Sequence, residues 1–483
     1  MRQFVAILKD SYYEAVDGFV IYVMLGMSAL VILVVGSMSF TPAEPPEAFQ
    51  KIVASREFAR IIPDRGRSRA ISVATAHDVK FAVSDVQAEG SGYTLRLTAT
   101  GSPNGDTLFD EKGPRNDLAK GDSFRRAVAI WAKQPKTMKA SEILEKSGKS
   151  GPGAKGGKGG VGDIEISLDT DATVEEQRAV TDADMEAFLQ NQFALHAGMD
   201  ATVRRVTIGV EEPTYLFEVT TTGGSSVRGW PHTTKIFFGA VPITNNTSLG
   251  QVLYIIEDQI INGLGGAVAL LIGLIITAFF IPNMLRKGSV DLIISKPIGR
   301  SQLLIYKYIG GLTFVFLVTT FTVGGIWLAV ALRSGYWDPR FLAVIPILTF
   351  TFAIVYAMST VVAVFTRSPI AAMIVSIGFM LCLYIVGQVK TIFDVIRIER
   401  SDRMPEWAFT LVDTLNNVLP RYKDLDKLTS KLIAEGTLTP GEFRTSQIGL
   451  VEVPSWTETF GVSLIFIVLM LAISCWRFNK RDY

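Results

Sequence analysis

The sequence predicts an α-helical polytopic membrane protein with six transmembrane helices and a large α+β extracytoplasmic domain between spans 1 and 2. Two observations support this fold class. The 483-residue chain is 48% hydrophobic with a formal net charge of +1, which is too apolar for a soluble protein of balanced charge. Six apolar runs come close to the roughly 20 residues with which a helix crosses the hydrocarbon core: 19–39, 263–285, 308–332, 341–365, 370–389 and 457–476.

The first 18 residues predict an amphipathic elbow helix on the cytoplasmic membrane surface. Their apolar side chains fall on one helical stripe, and Asp10, Glu14 and Asp17 fall on the opposite one. The run 19–39 that follows is longer than the core of a typical secretory signal, and these acidic residues precede it. It therefore predicts an uncleaved anchor, span 1.

Basic residues in the short loops predict how the spans are oriented. The loop 286–307, the turn at Arg367 and the tail 477–483 share one side of the membrane if both termini are cytoplasmic. Short basic loops stay in the cytoplasm, whereas long segments cross largely regardless of charge. The sequence therefore predicts an integral inner or cytoplasmic membrane protein whose segments 40–260 and 390–456 are extracytoplasmic.

The segment 40–260 is long enough to bury a core of its own, and its pattern is mixed. One predicted helix has Thr181 as its N-cap, Asp184 three residues on, and Gly198 as its stop. Alternating runs predict strands, and runs of helical spacing predict helices. The strand runs are 93–100, 164–168, 201–210, 215–221 and 234–241, and the helical runs are 46–61, 123–134 and 182–198.

A glycine-rich stretch, 147–162, interrupts this domain and predicts a flexible loop. Gly151, Gly153 and Gly156 have the spacing of a dinucleotide-binding turn, but no strand precedes them and no helix follows. The three histidines lack metal-ligand spacing, and the chain has neither a nucleophile elbow nor a nucleotide-binding motif. The sequence therefore predicts no catalytic, cofactor or metal site in this chain.

The segment 390–456 predicts short amphipathic helices that lie at the outer membrane surface. Trp407, Leu411 and Leu415 recur at helical spacing, Pro420 breaks the run, and Leu425 resumes it. Both cysteines fall within predicted spans, so the exported segments form no disulfide of their own.

The cytoplasmic loop 286–307 is patterned like a docking element. Pro297 lacks a backbone donor and disfavours helical geometry at the residue before it, so one short helix should end there and the next span begin. Val290, Ile293 and Ile294 would share an apolar face that suits a cytoplasmic partner. The simpler alternative is that this face dips into the lipid interface while the basic residues hold the orientation.

The stretch "GSVDLIISKPIGRSQLLIYKYIGG" resembles the intracellular loop of ABC-2 type permeases, the type V exporter-like membrane subunits of ABC transporters. The parts "SKP", "GRSQLL" and "KY" match closely. The order of elbow helix, first span, large exported insert and five further spans is also similar to that family. In the family this loop inserts into a cleft of the ATPase subunit. The coupling residues that the resemblance implies are Val290, Asp291, Ile293, Ile294, Ser295, Lys296, Pro297 and Arg300.

The resemblance also implies partners. The chain would pair with a second permease copy or a paralogue, and two separately encoded cytoplasmic ABC ATPase subunits would serve the dimer. ATP and Mg²⁺ would bind those ATPases, which leaves this chain without a cofactor. Membrane lipid and an extracytoplasmic protein are further expected contacts, whereas nucleic acid is not.

Three functions stay open at this point. The first is an exporter permease that is not itself an enzyme. The second is a mechanotransmitter, driven by the same ATPase, that acts on an envelope partner or lipid through the outer domain. The third is a membrane anchor that displays a binding or enzymatic domain, without a motor. The patterned loop favours the first two over the third, and the sequence leaves cargo, direction and homodimer or heterodimer undecided.

Overall fold

The computed structural model forms a sheet region and a helical bundle that contact each other. It describes residues 20–55, 58, 79–101, 108–110, 113–115, 122–133, 172–207, 213–223, 227–284, 299–399, 405–446 and 454–480. The predicted elbow helix 1–18, the predicted strand 164–168 and the glycine-rich stretch 147–162 lie outside these residues.

The sheet region, defined here as 39–248, follows helix α1 and alternates short helices with strands. The elements in chain order are α1 Val20–Gly36, β1 Ser39–Pro42, α2 Pro45–Ala54, β2 Lys80–Glu89, β3 Gly92–Thr100, β4 Leu108–Asp110, β5 Gly113–Arg115, α3 Ser123–Lys133, α4 Val174–Ala179, α5 Asp182–Gln192, β6 Asp200–Val206, β7 Thr214–Thr222, β8 Pro231–Ile236 and β9 Val241–Ser248.

Two antiparallel sheets organise this region. One has the order β2-β3-β7-β6, the other has the order β1-β8-β9, and β4 pairs with β5 separately. On β3 the side chains of Leu95, Leu97 and Ala99 are fully buried, whereas those between them are more exposed. This period-two pattern gives the sheet one face that packs against helices. The core on that face is rich in aromatic side chains: Phe49, Phe124, Phe188, Phe193, Phe217 and Trp230.

The predicted signals at the helix 182–198 are confirmed. The Thr181 hydroxyl accepts from the Asp184 N–H at 3.2 Å, and the Asp184 carboxylate accepts from the Thr181 N–H at 3.0 Å. After α5 the chain makes one π-helical turn, Phe193–Ala197, and Gly198 follows in the left-handed conformation at φ 64°. The capping box and the glycine stop thus set both ends of this helix.

One strand prediction is wrong. The run 234–241, expected as a single strand, is a hairpin in which β8 ends at Ile236 and β9 begins at Val241. Phe237 and Phe238 both adopt positive φ, at 51° and 56°. The chain therefore reverses through the four residues 237–240, in which Gly239 also has positive φ, at 99°, and the two phenylalanines give no turn signal.

The helical bundle follows β9 without a linker. Its helices in chain order are α6 Leu249–Ile261, α7 Leu264–Thr277, α8 Phe280–Met284, α9 Arg300–Ser334, the 3-10 turn Pro339–Ala343, α10 Val344–Thr366, α11 Pro369–Glu399, α12 Glu406–Val418, α13 Tyr422–Thr437, α14 Pro440–Thr445 and α15 Trp456–Lys480.

Four helices in the described part of the chain are long and apolar enough to cross a membrane. They are Arg300–Ser334, Pro339–Thr366, Pro369–Phe393 and Trp456–Lys480, and they coincide with predicted spans 3 to 6. Two shorter apolar stretches, Ile21–Gly36 and Ala269–Pro282, fall on predicted spans 1 and 2. The chain is thus a mostly helical membrane protein that also contains a sheet region.

Helices α1 and α9 approach closely because small residues line their contact. A Cβ atom added at Gly325 would lie 2.3 Å from the Ile32 Cδ1 atom. Three residues earlier on α9, the Thr322 hydroxyl shares a 2.6 Å hydrogen bond with the Ser28 hydroxyl. Close backbone approach and hydroxyl contacts are what hold helices together in lipid. They fix α1 against α9.

A two-residue turn joins α10 to α11. Arg367 takes the left-handed conformation at φ 56° and donates its N–H to the Ala363 carbonyl at 2.8 Å. Pro369 begins α11, where its missing N–H leaves no intrahelical bond unmade. The two helices therefore form a tight antiparallel pair.

The helices after α11 differ from one another in burial. Trp407 and Leu411 of α12 are exposed, as expected of a helix lying at a membrane surface. Leu425 and Leu428 of α13 are fully buried, because α13 packs among α6, α10, α11 and α15. α13 is thus an internal element of the bundle rather than a surface helix.

Candidate functional site

The two ends of the bundle hold the candidate functional elements. The loop end is where the chain leaves α8 and re-enters at α9, on either side of the predicted coupling loop. The sheet end is where the bundle meets the sheet region. The two ends lie about 50 Å apart along α9, since an α-helix rises about 1.5 Å per residue.

The loop end is an apolar cluster, named here the loop-end cluster. It joins the last turn of α8 and the first turn of α9 to the ends of three other helices. Leu304 and Val364 within it are fully buried. Its members are Ile281, Met284, Leu303, Leu304, Ala363, Val364, Ala372 and Phe478.

Hydrogen bonds add to this packing at the start of α9. Gly299 is extended at φ −64° and ψ 141°, and helical geometry begins at Arg300. The Asn479 amide donates to the Ser301 hydroxyl at 2.7 Å, which ties the last helix to the first turn of α9. The first turn of α9 is therefore held both by apolar packing and by a hydrogen bond from the last helix.

Of the predicted coupling residues the structure describes Arg300, which is half-buried at the first position of α9. The other seven, Val290, Asp291, Ile293, Ile294, Ser295, Lys296 and Pro297, lie outside the described residues. The docking face and the corner at Pro297 stay predictions.

The sheet end is polar, and it converges on the last turn of α13. The Gly436 carbonyl accepts from the Tyr336 hydroxyl at 2.7 Å and from Arg228 Nη1 at 3.4 Å. Arg340 Nη1 donates to the neighbouring Glu435 carbonyl at 3.2 Å. Carbonyls at a helix C-terminus lack intrahelical donors, and cations there also complement the helix dipole. We call this set of contacts the sheet-end junction.

Two carboxyl groups are buried in the sheet-end junction. Glu257 on α6 is 3% exposed, and neither its Oε2 atom nor the Asp338 Oδ2 atom has a hydrogen-bond partner. Burial, and secondarily the Asp338 charge, raise the pKa of Glu257 well above its usual range. Burial also raises the pKa of Asp338, which the Arg340 N–H and the Arg340 and Arg228 guanidinium groups partly oppose. Burial therefore favours the protonated, neutral form of Glu257.

Close backbone approach packs the sheet-end junction tightly. The Gly250 N–H donates to the Arg228 carbonyl at 2.7 Å, and a Cβ atom added at Gly250 would lie 2.2 Å from the Thr437 carbonyl oxygen. The Ser248 hydroxyl contacts the Glu442 carboxylate, which also completes a capping box with Thr439. The start of α6, the loop before β8 and the end of α13 thus meet with no room for a side chain.

A second polar group lies one turn further along α6. The Asn262 amide donates to the Ser430 hydroxyl at 2.8 Å and to the Asp258 carboxylate at 2.9 Å. Burial raises the pKa of nearby Asp426 to about 6, although the Lys423 ammonium, at 3.1 Å, opposes the shift. These contacts fix α13 along α6.

Sequence reasoning found the loop and missed the sheet-end junction. Its residues come from four separated stretches of chain, so no spacing motif links them. The one local signal is an acidic pair, Glu257 and Asp258, beside a predicted span, where an ionisable side chain is costly unless it has a role. In the described part of the chain, no three His, Cys, Asp or Glu side chains group as a metal ion would need.

Comparison with known proteins supplies the family. No curated protein and no solved structure gives a significant match to the chain. A family model, the ABC-2 family transporter protein, matches residues 24–483, which includes most of predicted span 1, spans 2 to 6, the sheet region and the coupling loop. This agrees with the resemblance carried by the loop sequence. The chain therefore belongs to the ABC-2 family of transporter proteins.

Proposed function

We propose that this chain is the permease subunit of an ABC transporter, in which a separate cytoplasmic ATPase drives movement of a substrate across the membrane. Family membership carries the proposal, because membrane proteins of the ABC-2 family generally work with an ABC ATPase subunit. In this proposal two ATPase copies serve a dimer of permease subunits, and both termini face the cytoplasm. The sheet region is extracytoplasmic, and the direction of transport is export.

The packing of the loop end supports a coupling role for the loop. Leu303 and Leu304 lie within the predicted loop 286–307, but the structure places them in the first turns of α9, and with Met284 they belong to one buried cluster with residues of α10, α11 and α15. Packed interiors transmit displacement because they contain little free volume. A partner that moves the loop would therefore move the ends of several helices together.

The test targets the predicted docking face, Ile293 and Ile294. Burial of each isoleucine in an ATPase cleft should contribute about 1.5–3 kcal/mol, so the double change to aspartate removes this term and adds desolvated charge. We expect I293D/I294D to lose the ATPase on co-purification in detergent. We expect Lys296→Ala, the control, to retain most of it, since an exposed ion pair is worth about 0–1 kcal/mol.

The outcome separates docking from a purely topological role. The double variant must elute and melt like the unmodified chain, which shows that the bundle has folded. Full retention of the ATPase with normal ATP turnover would contradict the coupling role of the loop and leave its basic residues as an orientation signal only.

A mechanotransmitter is the second candidate, and the sheet-end junction favours it. Arg228 of the sheet region donates to the Gly436 carbonyl of α13, and its own carbonyl accepts from the Gly250 N–H at the start of α6. Motion of the bundle would therefore reach the sheet region directly. Spin-label distances from the sheet region to α9 that change with ATP, in vesicles where no solute moves, would favour this candidate over an exporter.

A further inference from the structure

The turn between β8 and β9 lies at the membrane end of the sheet region. β8 runs antiparallel to β1 with Lys235 opposite Ser39, so the chain along β8 returns toward the end of α1. At the turn, the Phe238 N–H donates to the Ser37 carbonyl at 2.9 Å and the Phe237 N–H donates to the Ser37 hydroxyl at 3.2 Å. The turn is thus fixed to the point where predicted span 1 leaves the bilayer.

The last turn of α9, the helix of predicted span 3, lies beside the same turn. Arg333, in the last turn of α9, donates from Nε to the Gly36 carbonyl at 2.7 Å, and its guanidinium carbon is 5.9 Å from the Phe238 ring centroid. Trp327 and Trp337 pack edge to face close by in sequence, with ring centroids 5.3 Å apart. Tryptophan and arginine are typical of the headgroup level of a membrane.

The turn covers one end of an exposed apolar stripe on α1, the helix of predicted span 1. Positions 30, 33 and 37 share one helical face, and Leu30 and Leu33 are each 64% exposed on it. Ser37 is only 1% exposed, because the turn lies over it. On the neighbouring span, Leu332 is 67% exposed. The apolar surface of the turn is therefore continuous with side chains that face lipid.

The residues of the turn are the wrong type for its backbone. The Gly239 N–H donates to the Ile236 carbonyl at 3.2 Å, and the central residues Phe237 and Phe238 both have positive φ, which defines a type I′ turn. That turn favours Asn-Gly, since a Cβ is strained in the left-handed region. Yet the two phenyl rings are 55% and 75% exposed. Folding of the hairpin explains neither the strain nor the exposure.

We propose that this turn inserts Phe237 and Phe238 into the membrane leaflet on the side of the sheet region. The rings would lie at the boundary between headgroups and acyl chains, and the Arg333 guanidinium beside them would face lipid phosphate. Val241 and Ile243, the exposed side chains at the start of β9, extend the same apolar surface. The occupant is lipid rather than a second copy of the chain, because the surface continues the exposed apolar side chains of two predicted spans, Leu33 on α1 and Leu332 on α9, at the level of Arg333. Insertion would fix the height of the sheet region above the bilayer.

Site-directed spin labelling of the full chain in phosphatidylcholine vesicles tests the proposal. With Cys382 and Cys475 replaced by alanine, single cysteines at three positions carry the label: Phe238, Leu33 as the lipid reference and exposed Ala88 of β2 as the water reference. Accessibility to oxygen reports lipid, and accessibility to a nickel chelate reports water. We expect the Phe238 label to prefer oxygen, as the Leu33 label does.

Two results would overturn the proposal. A Phe238 label that prefers nickel, like the Ala88 label, places the turn in water. Exclusion of both reagents, together with dipolar broadening between labels, assigns the turn to a contact between two copies of the chain.

A second variant separates insertion from folding. F237N/F238G installs the residues that the type I′ turn favours, so the hairpin should fold at least as well as before. With the label at Val241, we expect the variant to lose oxygen accessibility and gain nickel accessibility relative to the chain that retains both phenylalanines. An unchanged label environment would show that the rings do not insert.

Discussion

The loop end of the bundle is packed by apolar side chains, whereas the sheet end buries carboxyl groups among hydrogen bonds to a helix terminus. At the loop end, Leu304 is fully buried among apolar neighbours. At the sheet end, Glu257 is buried and its Oε2 atom has no hydrogen-bond partner. Apolar packing is stabilising and indifferent to pH. A buried acid lowers stability when it ionises. The two ends should therefore respond differently to cavities, to added bulk and to pH.

The largest expected effect is a cavity at the loop end. Leu304→Ala should lower the free energy of unfolding by about 2–5 kcal/mol, the range for a fully buried leucine. Leu332→Ala is the matched control on the same helix, because Leu332 is 67% exposed and leaves no cavity. Thermal unfolding of both variants in detergent makes the comparison. Equal melting temperatures would mean that the loop-end cluster is loosely packed.

A smaller effect should follow from added bulk at the sheet end. Gly250→Ala places a Cβ atom 2.2 Å from the Thr437 carbonyl oxygen, and forced backbone shifts of this kind typically cost about 1–3 kcal/mol. Gly324→Ala, in the interior of α9 with nothing within 4 Å of the added atom, is the control. We expect the first variant to melt earlier and to expose the 231–248 hairpin to protease. If Gly250→Ala melts at the same temperature as the unmodified chain, the backbone at the sheet-end junction can shift at little cost.

The smallest expected effect is a change in how the stability of the chain depends on pH. Burial raises the pKa of Glu257 above its ordinary value of 4.5, so the folded chain holds a proton that the unfolded chain releases near pH 4.5. Protonated Glu257 therefore contributes its full stability below about pH 4.5, and this contribution is lost as pH rises toward the pKa of Glu257 in the folded chain. Glu257→Gln is neutral throughout and should melt with a flatter pH dependence above pH 4.5.

The control for this measurement is Glu406→Gln, at the exposed start of α12, which should leave the slope of melting temperature against pH unchanged. The slope is the informative quantity, because Asp338 and Asp426 also titrate with raised pKa values and remain in every variant. An unaltered slope in Glu257→Gln would assign the pH dependence to those two groups.

Local signals explain which parts of the fold could be predicted from the sequence. The capping box at Thr181 and the glycine stop at Gly198 act within one helix, so their residue types suffice. The apolar runs 308–332 and 457–476 likewise predict helices, because crossing hydrocarbon takes about 20 residues. Helix α9 nevertheless begins at Arg300, inside the predicted loop 286–307. The resemblance to ABC-2 permeases was also visible, because it is carried by one contiguous stretch of sequence, 288–311.

The missed features depend on contacts between distant residues. The stripe of Leu425 and Leu428 predicts an amphipathic helix, but the same stripe suits a membrane surface or an internal groove. The reversal at Phe237 and Phe238 was missed because tertiary contacts with Ser37 hold a turn that the residue types disfavour. The proximity of Glu257 to Asp338 was likewise invisible, because the two residues are far apart in the sequence.

The short turn at Arg367 constrains how the bundle can move. With α10 ending at Thr366 and α11 beginning at Pro369, their ends stay within about 11 Å even if the linker were fully extended. Neither helix can slide or swing away from the other at the loop end. We therefore expect the two helices to move together at the loop end. A push on the first turn of α9 would reach this pair at Val364, which packs with Leu304, and would arrive beside Gly436 as a change of helix tilt rather than as a translation.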